Sequence, residues 1–163
     1  SLAYNWQKGR YARGGSTITQ QVVKLLFLDK DKTIMRKIRE VSGALLLDLL
    51  VDKNTILEWY FNIVDFGSGV YGIEAAAHYY FATPAELLTI PQSILLASVV
   101  PSPNRWSGSL RAKELSPTGQ QRFLSILTRM RSQGFIDRRQ CRIALRTGNF
   151  GAPIVGADDS RCE

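Results

Sequence analysis

The stretch from Thr33 to Val51 constrains the fold of this chain more than any other. Its first turns are polar and its second half, beginning at Ala44 and reading ALLLDLLV, is nearly all apolar, so it predicts one long helix. Such a helix is expected to hold a functional end at the surface and to drive its other end through the core. With 163 residues and 45% hydrophobic content, the chain has enough apolar material for a core of its own, without a disulfide framework. No apolar run reaches the roughly 18–20 residues of a membrane span, because Asp48 interrupts the greasiest one.

Other segments share the helical period, and strand signals are weak throughout. Ser16 or Thr17 caps a helix expected to run to about Leu28, with Val22, Val23, Leu26 and Phe27 on its apolar side. Asp29 to Lys32 reads as a charged turn, and Asn54 or Thr55 caps a helix ending near Asn62. Three glycines within Gly67–Gly72 mark a loop of tight backbone turns before a short apolar helix, Ile73 to Tyr80. Thr83-Pro-Ala-Glu86 looks like a capping-box start, and Pro91 to Val100 reads as a helix stopped by Pro101 and Pro103. Residues 117–132 and 137–147 are amphipathic with basic outer faces. The expectation is a mostly α-helical domain over residues 1–147, an irregular tail over 148–163, and one small hairpin of undetermined place.

Charge is concentrated at the front. Residues 1–40 hold nine Lys and Arg against Asp29, Asp31 and Glu40, so six of the net +7 sit there. A local basic field attracts phosphates, nucleic acid or anionic headgroups. Lys8, Arg10 and Arg13 interleave with Leu2, Tyr4, Trp6 and Tyr11, a mixture suited to a membrane interface or to single-stranded nucleic acid. Cys141 and Cys162 fit no metal or redox spacing; they are either without function or a bond tying down the tail in an oxidising compartment. His78, the only histidine, lies in AAAHYYF and has no second ligand or triad partner near it in sequence.

The densest polar block is RGGSTITQQVVK, Arg13 to Lys24. Ser16, Thr17 and Thr19 cluster at a helix N-terminus, where free N–H groups and the helix dipole favour an anion. Gln20, Gln21 and Lys24 are three and four apart and can share a face. Twelve positions on, Arg36 and Lys37 precede Glu40 by four and three residues. The pattern is that of a phosphate-bearing substrate's site followed by a carboxylate.

Together these blocks resemble the family 51 glycosyltransferases, the peptidoglycan glycosyltransferase domains of penicillin-binding proteins and monofunctional transglycosylases. The likeness runs over about residues 5–135. It is carried by Gly14-Gly-Ser-Thr-Ile-Thr-Gln-Gln21 with Lys24, Arg36-Lys37-x-x-Glu40, Ile56-Leu-Glu58-x-Tyr60-Phe-Asn62, Gly67 to Gly72 leading into Tyr80-Phe81, and Leu95-Leu-Ala97 through Pro101 and Pro103. The resemblance implies a lysozyme-like, two-lobed, mostly α-helical fold with a membrane-embedded jaw. It implies an inverting enzyme that polymerises lipid II into glycan strands, releases undecaprenyl diphosphate, works at the extracytoplasmic (periplasmic) face of the bacterial membrane, and is inhibited by moenomycin-type phosphoglycolipids.

By the same resemblance Glu40 is the catalytic carboxylate, acting at the diphosphate directly or through a divalent cation, Mg or Mn. Ser16, Thr17, Gln20, Gln21, Lys24, Lys32, Arg36 and Lys37 form the donor site, and Glu58, Asn62, Gly67 and Gly72 are further motif residues. Lipid II, the nascent glycan and the inner-membrane surface are the implied partners, and nucleic acid is not. The family's general base lies in a Glu-Asp-x-x-Phe-x-x-His-x-Gly pattern that this sequence does not contain; the chain is expected to start after it. Leu25, Lys32 and Gln92 stand where the family commonly has Asn, Arg and Glu. The alternative reading is a lipid II-binding or scaffolding module without turnover.

Overall fold

The computed structural model describes residues 16–27 and 33–163. They form eight α-helices, two short 3-10 turns and no sheet, so the expected mostly α-helical class is what is observed. The chain divides into two compact units, one ending at Ile63 and one spanning Val64–Glu163.

The first unit holds α1 (Ile18–Phe27), α2 (Ile34–Leu50) and α3 (Lys53–Ile63). Thr17 caps α1, accepting from the Gln20 N–H at 3.2 Å, and Thr33 caps α2, accepting from Arg36 N–H at 3.1 Å. The α3 cap is Asp52, not Asn54 or Thr55. Its carboxylate accepts from the N–H groups of Asn54 and Thr55 and from the Thr55 hydroxyl, and these bonds, the Thr55 hydroxyl first, hold its pKa below the usual carboxylate range. An acidic side chain before the first turn outcompetes Asn or Thr inside it.

The helices pack through a narrow set of residues. Val22 and Val23 of α1 are buried, whereas Leu26 and Phe27, expected on the same apolar side, are exposed. A Cβ on Gly43 would stand 3.0 Å from a Val23 methyl, so α2 meets α1 closely at that turn. The side of α2 facing α1 therefore carries Glu40 and Ala44, its two buried residues. This reverses the expected polarity of the helix: the carboxylate of the polar end is buried, while Leu45, Leu46, Leu49 and Leu50 of the apolar end are 57–75% exposed.

The second unit opens with the glycine loop. Asp65 and Tyr71 pair in an isolated antiparallel bridge, as do Asn149 and Ala152 further on, and no strand forms among the described residues. Gly67 holds φ +89°, and a Cβ there would fall 2.4 Å from Ser107 Cβ and 2.9 Å from the Pro103 carbonyl, so only glycine fits. Buried Tyr80 donates to the Phe66 carbonyl at 3.0 Å and fastens the loop to α4 (Ile73–Phe81); burial holds its phenol above the ordinary range.

Thr83–Glu86 yields only a 3-10 turn, Ala85–Leu87, with no side-chain cap. The carboxylate that reaches it is Glu74, which accepts from Ala85 N–H at 2.9 Å and lies 2.9 Å from His78 Nε2. The capping box belongs instead to α5 (Ile90–Val99), between Thr89 and Gln92. The two prolines do not end the helical region: Pro103 opens a further helix, α6 (Pro103–Ala112), at a first-turn position where it loses no hydrogen bond. The helices α7 (Pro117–Ser132) and α8 (Arg138–Thr147) fall where the periodicity puts them. Beyond them, buried Ile154 and a Cys141–Cys162 disulfide tie residues 148–163 to α8.

Candidate active site

Three elements of the first unit build the site. Glu40, on the α1-facing side of α2, is 2% exposed. Its carboxylate lies 3.5 Å from Arg36 Nη1 and receives the Lys37 ammonium on Oε1. Ser16, just ahead of α1, donates to the same oxygen at 3.5 Å and accepts from Lys37 Nζ at 3.1 Å. Four of the sequence-predicted residues, Ser16, Arg36, Lys37 and Glu40, therefore meet in one hydrogen-bonded cluster. The i, i+3 and i, i+4 spacing alone would describe a surface pair worth a few tenths of a kcal/mol. Burial of the carboxylate on a packed helix face makes it a fixed anchor instead.

Arg36 contributes one further feature. Its Nε is buried and has no hydrogen-bond partner among the described residues. The Arg36 side chain is still 22% exposed and that of Lys37 49%, so their outer N–H groups can take a further acceptor from a ligand.

A second carboxylate repeats the arrangement. Asp48 lies eight residues beyond Glu40 on α2, accepts from the buried Thr19 hydroxyl at 2.9 Å and pairs with Lys53 Nζ at 2.7 Å. The Lys53 hydrogen bond, then that of Thr19, holds its pKa below the ordinary value. Sequence reasoning noted Asp48 only as an interruption of the apolar run. The signal was present: a lone acid two turns beyond Glu40 shares its face. Thr19, one of the hydroxyls expected at an anion site, instead donates to this carboxylate, and Lys53 carries no such mark in the sequence. Tyr60 of α3 donates to Gln21 Oε1 at 3.1 Å, and burial raises its phenol pKa, so it remains a donor.

The remaining predicted residues are dispersed. Thr17 serves as the α1 cap, and Gln20 is half-buried on α1. Lys24, one turn later, is exposed and joins no ion pair among the described residues. Lys32 lies outside the described residues. Glu58 and Asn62 are exposed on α3 and do not reach the cluster, while Gly67 and Gly72 shape the loop of the second unit. Gln92 has a structural explanation: as the N3 residue of a capping box, glutamine and glutamate serve alike.

The cluster fits a divalent cation poorly. It offers one carboxylate, already facing two cationic side chains, and among the described residues no group of three His, Cys, Asp or Glu could hold a metal. Its charge suits an anion.

A family model described as Transglycosylase matches residues 1–131. A biosynthetic peptidoglycan transglycosylase of Paraburkholderia xenovorans is 52% identical over 99 residues, covering 61% of this chain and 41% of the relative. Another, of Aeromonas hydrophila, is 45% identical over 136 residues, 83% of this chain and 56% of the relative. Penicillin-binding protein 1F of Bacillus subtilis is 40% identical over 132 residues, 81% of this chain but 18% of the relative. The chain thus spans between about two fifths and a little over half the length of the transglycosylases it matches. With its matching blocks in order and its basic residues gathered on a buried glutamate, this chain belongs to the transglycosylase family.

Proposed function

We propose that this chain supplies the donor-binding machinery of a peptidoglycan glycosyltransferase that polymerises lipid II into glycan strands. The observation that carries the reading is the Glu40 cluster: a buried carboxylate that fixes Arg36 and Lys37, whose side chains remain 22% and 49% exposed. When the C1–O bond of the donor sugar breaks, negative charge develops on the departing diphosphate. Cations already held in place stabilise that charge without reorganising during the reaction. Arg36 and Lys37 are the groups in position to do so, with Lys24 further along α1, and Ser16 accepts a second hydrogen bond from Lys37 beside Glu40. Glu40 sets the direction of both cations. The proton of the acceptor hydroxyl goes to a general base that we do not assign to a residue of this chain.

Two features support the place of action. Ile34, Met35, Ile38, Leu45, Leu46, Leu49 and Leu50 give α2 a long exposed apolar surface, suited to the acyl boundary of a membrane on which the lipid substrate travels. No described helix is long and apolar enough to cross a membrane. The Cys141–Cys162 disulfide fits an oxidising, extracytoplasmic compartment.

The test is binding of a moenomycin-type phosphoglycolipid and of lipid II, alongside polymer formation in detergent. Arg36→Ala and Lys24→Ala should each weaken binding about tenfold, the loss of one charge-assisted hydrogen bond. Unchanged affinity in both variants would remove the diphosphate site. Binding without polymer would describe a lipid II-binding module.

A further inference from the structure

The second unit contains a cavity of about 510 Å³ that shares no residue with the Glu40 cluster. Tyr79, Phe81, Thr89, Gln92, Lys113 and Phe150 line it, and Phe150 lies beyond residue 131, where the family match ends. We propose that this cavity binds a carboxylate-bearing saccharide.

Backbone conformation supports a ligand role. Among the described residues four non-glycines hold left-handed backbone, and three of them, Ala82 (φ 53°), Lys113 (φ 52°) and Phe150 (φ 52°), line this cavity. Ala82 and Lys113 end α4 and α6, a position that glycine fills at less cost. Lysine and phenylalanine at such positions are strained side chains retained in one small volume, as at ligand clamps.

The lining chemistry names the ligand class. Tyr79 is 56% exposed, and buried Tyr80 holds it edge-on at a centroid distance of 4.8 Å, so it presents a fixed ring. The Phe81 and Phe150 rings stack at 6.2 Å and 27°. Fixed aromatic rings receive the apolar C–H face of a pyranose. Polar groups stand beside them: Gln92 Oε1 is committed to the Thr89 cap, but its amide Nε2 donates to no described residue. Lys113 is the one charged residue among those lining the cavity, and it joins no ion pair among the described residues. A ligand that covers the rings, takes the amide and neutralises the ammonium is a sugar with a carboxylate. A volume of about 510 Å³ holds one or two sugar rings.

The experiment titrates the full chain with methyl glucuronide and methyl glucoside, which differ only in the oxidation of C6, and follows both by saturation-transfer NMR. Methyl glucuronide should bind, and methyl glucoside should bind about tenfold more weakly. Lys113→Gly should remove that preference while leaving Tm unchanged or higher, since it relieves the left-handed strain. Lys113→Asn, which also tolerates that conformation, repeats the test with a side chain present. Ala82→Gly should raise Tm and leave binding as it was. Binding of neither sugar, equal binding of both, or glucuronide affinity unaffected by Lys113→Gly and Lys113→Asn would each overturn the proposal.

Discussion

Glu40 and Asp48 stand two turns apart on one face of α2, about 12 Å along its axis, and each accepts a hydrogen bond from a hydroxyl at the α1 end of the unit, Ser16 for the first and Thr19 for the second. Each also holds a lysine, Lys37 and Lys53. The two carboxylates differ in burial: Glu40 is enclosed, and a third of the Asp48 side chain is open. One is therefore suited to fixing cations, the other to joining α1, α2 and the start of α3.

Neutralising the first should separate structure from chemistry. Glu40→Gln keeps the shape and one acceptor but leaves Arg36 and Lys37 without their counter-charge. Loss of hydrogen bonds to a charged group costs about 1–3 kcal/mol, so the unfolding midpoint in urea should fall measurably while the protein still folds. Phosphoglycolipid binding should persist, because the cations remain. Lipid II polymerisation, the proposed activity, should disappear, because their direction is lost.

The second carboxylate should appear in the pH dependence of stability. The folded pKa of Asp48 lies below its unfolded value, so it stabilises the fold above the unfolded pKa and ceases to do so as pH falls through the folded one. Asp52 and Asp158 are depressed in the same direction by their Thr55 and Ser160 partners. Thermal unfolding from pH 6 down to pH 3 should show a falling Tm below about pH 4. Asp48→Asn should start lower and fall less steeply. Parallel curves for the two proteins would mean that Asp48 is not a stabilising anion.

The glycine loop predicts a graded pair of substitutions. Gly67→Ala places a methyl 2.4 Å from Ser107 Cβ at φ +89°, where neither the backbone nor the packed serine can yield cheaply. Gly69→Ala has the same sign of φ but open space around it, leaving only the backbone penalty of about 1–2 kcal/mol. Gly67→Ala should therefore be destabilised well beyond Gly69→Ala in urea titrations, or fail to fold where Gly69→Ala folds.

Both outcomes concern features legible in the sequence to different degrees. The loop was legible because three close glycines mark left-handed turns regardless of what surrounds them. The Ser16–Lys37–Glu40 cluster was legible because its spacing and composition are unusual. Three things were not. Pro101 and Pro103 read as a stop, yet proline is equally at home in a first turn, and local sequence does not distinguish the two. Glu86 offered a capping box that Glu74, eleven residues before Ala85, replaced from another helix. The polarity of α2 failed because periodicity shows that a helix has an apolar side without showing what lies against it. The residues that decide its packing are small ones, Gly43 and Ala44, which an apolar count scarcely registers.

The exposed side of α2 gives a prediction that separates surface from core. Leu45, Leu49 and Leu50 make little contact within the chain, so replacing all three by glutamine should change stability little, about 0.5 kcal/mol or less at each site. Association with vesicles of anionic phospholipid, measured by co-sedimentation, should fall sharply. Undiminished vesicle binding would mean that this side of α2 is not the membrane-facing surface proposed for it.

The disulfide allows the last test, because its effect belongs to one unit. Cys141 and Cys162 lie 21 positions apart, and constraining the loop they close in the unfolded chain contributes about 3 kcal/mol. Both cysteines are buried, with Ile154 buried inside the loop and the Cys162 carbonyl accepting from Arg131 Nε at 3.0 Å. Cys162→Ser, or reduction of the native protein, should therefore release residues 148–163 from α8 and lower the stability of the second unit. Amide exchange followed by mass spectrometry should show faster exchange over residues 138–163 and unchanged protection over α1 and α2. Equal acceleration in both units would mean that they unfold as one, and that the bond stabilises the whole chain.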